Sequence, residues 1–178
     1  EMNWFAYPLP QNMKTNWITA PLEQPAPASQ REQHPQRIAA TSVLLFRGND
    51  VLLIKRAHGA MAGHWSAPGG HVEAGETNIA AAARELHEET GLIARSLLPL
   101  TTHLVKLDAT PQSSERIYEI AVFAGTADQH SQPRAGGDAA DARFICSHGI
   151  TELLKTPGLD TLIEAARLCL ANAEQPPP

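Results

Sequence analysis

The stretch from Thr77 to Gly91 constrains this chain more than any other, because it reads as a helix with both ends specified. Thr77 stands in the N-cap position, where a hydroxyl accepts a free backbone N–H, and Gly91 in the C-cap position, where a left-handed backbone is needed. Between them Ile79, Ala83, Leu86 and Thr90 recur at the spacing of a core-facing stripe. Glu85, Glu88 and Glu89 fall together on another side, since residues three and four apart are neighbours on a helix surface. Like charges so close destabilise a helix, and in its C-terminal half the macrodipole disfavours them further. A Glu-rich face is most often a solvated surface. The other reading is a site for a hard divalent cation, which takes oxygen ligands and, as magnesium, keeps places for water and phosphate. On the helix alone both readings stand.

The remaining chain supplies a scaffold of strands. Ile38 to Phe46 is β-branched and aliphatic, Arg47 to Asp50 make a turn, and Val51 to Lys55 form a second strand, so a hairpin is expected. From His64 to His71 the Pro68, Gly69, Gly70 run marks a sharp turn. Leu97 to Leu107 and Arg116 to Gly125 read as strands joined by the polar loop Asp108 to Glu115. A short strand, Ala142 to Cys146, precedes one or two helices between Ile150 and Leu170. Interleaved hairpins and helices predict an α+β fold.

The length of 178 residues suits one domain with a proper core, expected over residues 37–172. Before it, residues 1–36 are rich in Pro, Gln and Asn and read as an extended arm. Its aromatics, Trp4, Phe5, Tyr7 and Trp17, would pin it to the domain or to a partner chain; alternatively residues 1–12, ahead of Met13, are a vector-derived leader. Residues 173–178 form a loose, proline-ended tail. A net charge of -5 argues against a protein that coats nucleic acid, while a small polyanion still binds if a metal supplies positive charge. Cys146 and Cys169 are too few for a disulfide framework and are not spaced as zinc-ligand pairs. No apolar run approaches the roughly 18 residues of a membrane span, and the N-terminus lacks a signal-peptide pattern. A cytoplasmic protein is expected.

Spacing around the helix decides between the two readings of its glutamates. From Gly70, five residues lead to Glu76 and seven more to Arg84 and Glu85, followed by Leu86, His87, Glu88, Glu89, Thr90, Gly91 and Leu92. This resembles the Nudix box at every defined position. Seven fixed identities in one window arise by chance on the order of once in a hundred million or rarer. The resemblance covers Gly70 to Leu92, and the flanking strands agree with the family's α/β/α sandwich, a mixed β-sheet carrying a catalytic loop-helix-loop. It implies that Glu85, Glu88 and Glu89 bind magnesium or manganese beside a pyrophosphate, with Glu85, Glu89 and Arg84 central to catalysis. It also implies that Glu76 orients the loop, that Arg84 pairs with a box carboxylate, and that Gly69 and Gly70 allow close backbone approach.

Other residues near the box invite roles. Trp65 either stacks on a base or is buried, His64 and His71 lie close by, and His87 occupies an unconstrained position. Glu115, Glu119, Asp138 and Asp141 resemble acids from which family members draw a general base or a further metal ligand; each alone also reads as a solvated carboxylate. The likeness to proteins described as ADP-ribose pyrophosphatases points to cleavage of ADP-ribose into AMP and ribose 5-phosphate. Against it, Asp108 stands where ADP-ribose-cleaving members commonly carry proline, with Pro111 three residues later. Hydrolysis of modified nucleoside triphosphates is the alternative, and a non-catalytic nucleotide-sugar sensor is a third reading. The expected partner is a nucleotide, with no nucleic acid or membrane, and a homodimer is open.

Overall fold

Alternation of side chains along β1 sets the architecture. In the computed structural model, which describes residues 36–59, 61–107 and 115–173, β1 spans Gln36–Arg47. Its Leu44 and Phe46 join one buried cluster and its Val43 and Leu45 another, because successive strand residues point to opposite faces. The other strands are β2 (Asp50–Arg56), β3 (Trp65–Ser66), β4 (Leu97–Leu107), β5 (Arg116–Thr126) and β6 (Ala139–Ile145). They form one sheet in the order β3-β2-β1-β5-β4, with β6 on β2. The β1–β5 pair is parallel and the rest are antiparallel, so the sheet is mixed, as expected.

Each face is covered by a helix. α1 (Asn78–Thr90) lays Ala82 and Leu86 on Val43, Leu45, Leu52 and Phe123. On the other face, past the short α2 (Ser147–Ile150), α3 (Leu159–Ala173) packs Leu159, Ile163 and Ala166 against Leu44, Val51, Leu53 and Val122. Burying a leucine contributes roughly 1.5–3 kcal/mol, so Leu86, with no exposed surface, anchors α1 firmly. Thr77 caps α1 by accepting the N–H of Ala80 at 3.3 Å, and Gly91 ends it with φ 69, both as the sequence predicts.

The predicted core stripe of α1 needs correction. Ile79 and Ala83 are exposed, and the buried residues are Ala81, Ala82, Leu86, Glu89 and Thr90. The helix is rotated toward the small Ala81 and Ala82, which admit close approach to the sheet, and this turns Glu89 inward. The predicted hairpin is also shorter than its strands, with only Phe46↔Val51 and Arg47↔Asp50 in register between β1 and β2. Beyond that tip the segment 68–72 takes the place beside β1. Thr41 donates to the Gly70 carbonyl at 2.8 Å, Val43 to Pro68 at 2.9 Å, and Val72 to Ala39 at 3.1 Å. Sequence reading took His64 to His71 as a turn and missed β3, because proline and glycines obscure a strand-like path. β1 begins at Gln36, ahead of the predicted Ile38, and β6 is longer than predicted. The predicted arm up to residue 35, Asp108, Pro111 and the tail beyond Ala173 lie outside the described residues.

Candidate active site

The turn at Pro68–Gly70 exists to bring backbone up against the carboxylates of α1. Gly69 donates its N–H to the Glu89 carboxylate at 2.8 Å. A Cβ on Gly69 would collide with the backbone of Thr41 and Ser42, and one on Gly70 would occupy the space of the Glu85 carboxylate. Packing therefore requires glycine at position 69, and at position 70 any side chain would displace the Glu85 carboxylate.

Glu76 and Arg84 fasten the other end of the loop to the helix. Arg84 donates from Nε to Glu76 Oε1 at 3.1 Å and from Nη2 to Glu76 Oε2 at 2.9 Å, the two-point pairing that suits a planar guanidinium. Its Nη1 reaches Glu85 at 2.8 Å and Glu88 at 3.4 Å, and Nη2 also donates to the His71 carbonyl at 3.0 Å. The Arg84 hydrogen bond holds Glu76 below the usual carboxylate range, and the carboxylates in turn raise the pKa of Arg84.

The three box glutamates differ in burial. Glu88 is half exposed, Glu85 is largely covered, and Glu89 is only 5% exposed. Burial pushes the Glu89 carboxyl up to about 7, against the Gly69 hydrogen bond; Glu85 and Asp138 push it further up and the charge of Arg56 pulls it back. Free carbonyls at the end of α1 are answered by Gly91 to His87 at 2.8 Å, Gly136 to Glu89 at 3.0 Å and Arg134 to Thr90 at 2.9 Å. A Cβ on Gly136 would meet the Glu88 carbonyl oxygen, so this contact too depends on glycine.

A stability prediction follows from the buried acid. Below its ordinary value of 4.5, Glu89 is protonated in folded and unfolded chains alike. Between 4.5 and about 7 the folded protein keeps a proton that the unfolded chain has released, so stability falls as pH rises. Above that window the full cost, about 3 kcal/mol from a gap between 4.5 and about 7, is present. Melting of metal-free protein across pH 5 to 8 should show this decline, and Glu89→Gln should flatten it. Parallel curves for the two proteins would contradict the assignment.

Among the further acids predicted from sequence, Asp138 acts on Glu89, and the other three make ion pairs. The Asp138 carbonyl accepts the Ala57 N–H at 3.0 Å, which holds the turn over the end of α1, and its charge acts on Glu89. Asp141 stands in register with Lys55 and pairs with Arg143. Glu115 pairs with Lys106 at 2.9 Å and Glu119 with Arg37 at 3.7 Å. Trp65 is buried in the α3-side core, which supports the burial reading, while His64 bonds locally to Ala62. His71 faces Tyr118 with ring centroids 5.9 Å apart, and His87 is exposed. Sequence reading missed Arg56, the last residue of β2, whose position beside Glu89 depends on how the chain folds back.

Among the described residues no three His, Cys, Asp or Glu side chains converge closely enough to enclose an ion. The donor chemistry nonetheless fits a hard divalent cation. Glu85 and Glu89 crowd together near a backbone that only glycine permits, and Glu89 carries a burial cost that a cation would offset. Here the Arg84 guanidinium is the cation that meets Glu85 and Glu88.

The site thus joins a glycine turn to a carboxylate-bearing helix on one face of a mixed sheet, an arrangement shared with hydrolases of pyrophosphate bonds. The chain belongs to the NUDIX domain family, which matches residues 36–165. Nudix hydrolases use divalent metals. The ADP-ribose pyrophosphatase of Methanocaldococcus jannaschii is 32% identical over 120 residues, covering 67% of each chain. The fold is shared with a MutT NUDIX hydrolase from Burkholderia pseudomallei, at TM-score 0.60 and 22% identity over 73% of this chain and 98% of that one. It is shared also with the NUDIX domain of Shewanella oneidensis NrtR, solved with ADP ribose, at TM-score 0.62 and 16% identity over 78% and 90%. Among the described residues no helix is long and apolar enough to cross a membrane.

Proposed function

We propose that this chain hydrolyses the pyrophosphate of ADP-ribose to AMP and ribose 5-phosphate, using magnesium or manganese held by Glu85, Glu88 and Glu89. The observation that carries the chemistry is the buried Glu89 carboxylate, tied to Gly69 and crowded by Glu85 beside the glycine turn. The choice of substrate draws its support from the likeness to the Methanocaldococcus jannaschii enzyme.

A bound cation screens charge developing on phosphate oxygens and lowers the pKa of an attacking water. The chain's own residues prepare for it. Glu85 and Glu89 act as the principal ligands, and Glu88, more exposed, as an outer one. Gly69 orients the Glu89 carboxylate through its N–H, while Gly70 leaves room for the Glu85 carboxylate. Arg84 is a positioning residue, held by Glu76 and holding Glu85 in turn. Among the further acids, Asp138 is assigned a place in this chemistry because its charge acts on Glu89, while Glu115, Glu119 and Asp141 are assigned none and make ion pairs with Lys106, Arg37 and Arg143. The reading includes a cytoplasmic enzyme acting on a free nucleotide, with no nucleic-acid or membrane partner. A homodimer and the arm's role in assembly belong to the same proposal.

A panel containing ADP-ribose and modified nucleoside triphosphates, assayed with magnesium, tests the substrate. ADP-ribose should give the highest kcat/KM, with AMP and ribose 5-phosphate in equal amounts. A preference of about tenfold or more for a modified triphosphate would move the function to pool sanitising. Tight binding of ADP-ribose without turnover would instead favour the sensor.

A further inference from the structure

We infer that Gly136 is a positioning residue for the metal-binding glutamates, one that holds the last turn of α1 through backbone alone; the inference rests on the cation reading of the box given above. That turn is weak by its own chemistry. It carries Glu88 and Glu89, two like charges at the end of a helix where the macrodipole disfavours them. It also ends in four carbonyls, those of His87, Glu88, Glu89 and Thr90, that have no partner within the helix. Helix ends fray, and fraying at this end would displace two of the three proposed ligands.

Among the described residues, three of these carbonyls accept a hydrogen bond from outside the helix. Gly91, the C-cap, donates to His87 at 2.8 Å. The other two donors come from the loop between β5 and β6: Arg134 donates its N–H to Thr90 at 2.9 Å, and Gly136 to Glu89 at 3.0 Å. The carbonyl of Glu88 lies against the Gly136 backbone so closely that a Cβ would stand 2.5 Å from its oxygen. Gly136 therefore meets both glutamates of the last turn, one by a hydrogen bond and the other by an approach that only glycine permits. The loop is in turn fixed to the sheet. The Gly136 carbonyl accepts from Ala139, the first residue of β6, and the Asp138 carbonyl from Ala57, next after β2, each at 3.0 Å. Glu89 is thus held at two points, its carboxylate by the Gly69 N–H and its backbone by the Gly136 N–H.

The demand for an absent side chain is particular to this position. At Gly137 a Cβ would keep 3.7 Å from its nearest neighbour, the Glu88 oxygen, which is ordinary contact, and the φ of 54 lies in the left-handed region that asparagine tolerates. At Gly136 a side chain would lever the loop away from α1 and break the bond to Glu89. A cation bound by Glu88 and Glu89 and a loop docked on their backbone both need the last turn ordered. By linkage, each should tighten the other.

The competing account is that Gly136 only lets the loop pack and stabilises the fold. Manganese titration, melting temperature and kcat of wild type, Gly136→Ala and Gly137→Asn separate the two. Gly136→Ala should bind manganese at least about tenfold more weakly, with kcat lowered at the wild-type magnesium optimum and partly regained at higher magnesium. Gly137→Asn should stay within about threefold of wild type in both. Amide exchange of the wild type, with and without magnesium, needs no variant. Magnesium should slow exchange at Arg134 and Gly136 at least about threefold more than at Ala127, whose N–H ties the far end of the same loop to Phe46. A Gly136→Ala protein that binds manganese within about threefold of wild type, whatever its melting temperature, would overturn the inference. So would a loss of affinity equalled by Gly137→Asn, or exchange at Arg134 and Gly136 that magnesium leaves unchanged relative to Ala127. A wild type that binds the metal with both amides protected and cleaves no pyrophosphate sinks the function proposed above and leaves Gly136 in place; one that binds no divalent cation sinks both.

Discussion

Glu85→Gln and Glu89→Gln should each lower kcat by at least about a hundredfold, the scale expected when a group that stabilises transition-state charge is lost. The amide keeps the shape of the side chain and one carbonyl oxygen, so packing is largely preserved while the negative charge is removed. Glu89 is the sharper case. It is almost wholly buried, and its tie to Gly69 and its inward rotation on α1 have no packing purpose that leucine would not serve better. Because burial of the charged form is costly, Glu89→Gln should leave a metal-free protein as stable as wild type or more so above pH 7, while disabling turnover. Glu88→Gln should be similar or milder, since that side chain is half exposed and only 3.4 Å contact with Arg84 fixes it. Glu73→Gln and Glu115→Gln should stay within about tenfold, as Glu73 meets Glu76 through its backbone N–H, which the substitution keeps, and the Glu115 side chain pairs with Lys106. Rates from folded variants, checked by melting, decide this ranking. Near-wild-type kcat for both Glu85→Gln and Glu89→Gln would remove the box from catalysis.

Chelation is the second large effect. Treatment with EDTA should abolish turnover, and added magnesium or manganese should restore it. Without a cation, Glu85, Glu89 and Asp138 present mutually repelling charge to an anionic substrate. Among the described residues Arg84 and Arg56 are the guanidinium groups whose charge acts on these carboxylates, and Arg84 is already spent on Glu76, Glu85, Glu88 and the His71 carbonyl. One remaining arginine is too little to neutralise both the carboxylates and a diphosphate. Turnover that persists in metal-free buffer would show that the cluster works by another route.

The box was legible in the sequence because its spacing encodes helix geometry. Glu85, Glu88 and Glu89 share a face by arithmetic, and Thr77 and Gly91 mark the helix ends by their chemistry. Strands β1, β2, β4 and β5 were legible as runs of branched and aliphatic residues. What escaped depends on tertiary packing. The rotation of α1 that exposes Ile79 and Ala83 and buries Glu89 comes from the fit of Ala81 and Ala82 against the sheet, which periodicity alone does not fix. The segment 68–72 beside β1 was hidden by glycines and proline that signal a turn, although its backbone pairs like a strand. Asp138 and Arg56 lie far apart in sequence, and only the fold brings both to Glu89. By contrast Glu115, Glu119 and Asp141 read as equal candidates in the sequence, and the structure gives each an ion-pair partner outside the box.

The central claim is that Glu85 and Glu89 act through a divalent cation on a pyrophosphate bond. The most direct test is the rate of cleavage of the best substrate by wild type and Glu89→Gln, each with magnesium and with EDTA. If carboxylate and cation act as one unit, their losses are not additive. The variant with magnesium should then fall close to the rate of wild type in EDTA, and EDTA should take little more from the variant. A Glu89→Gln enzyme that keeps near-wild-type, magnesium-dependent turnover would contradict the account.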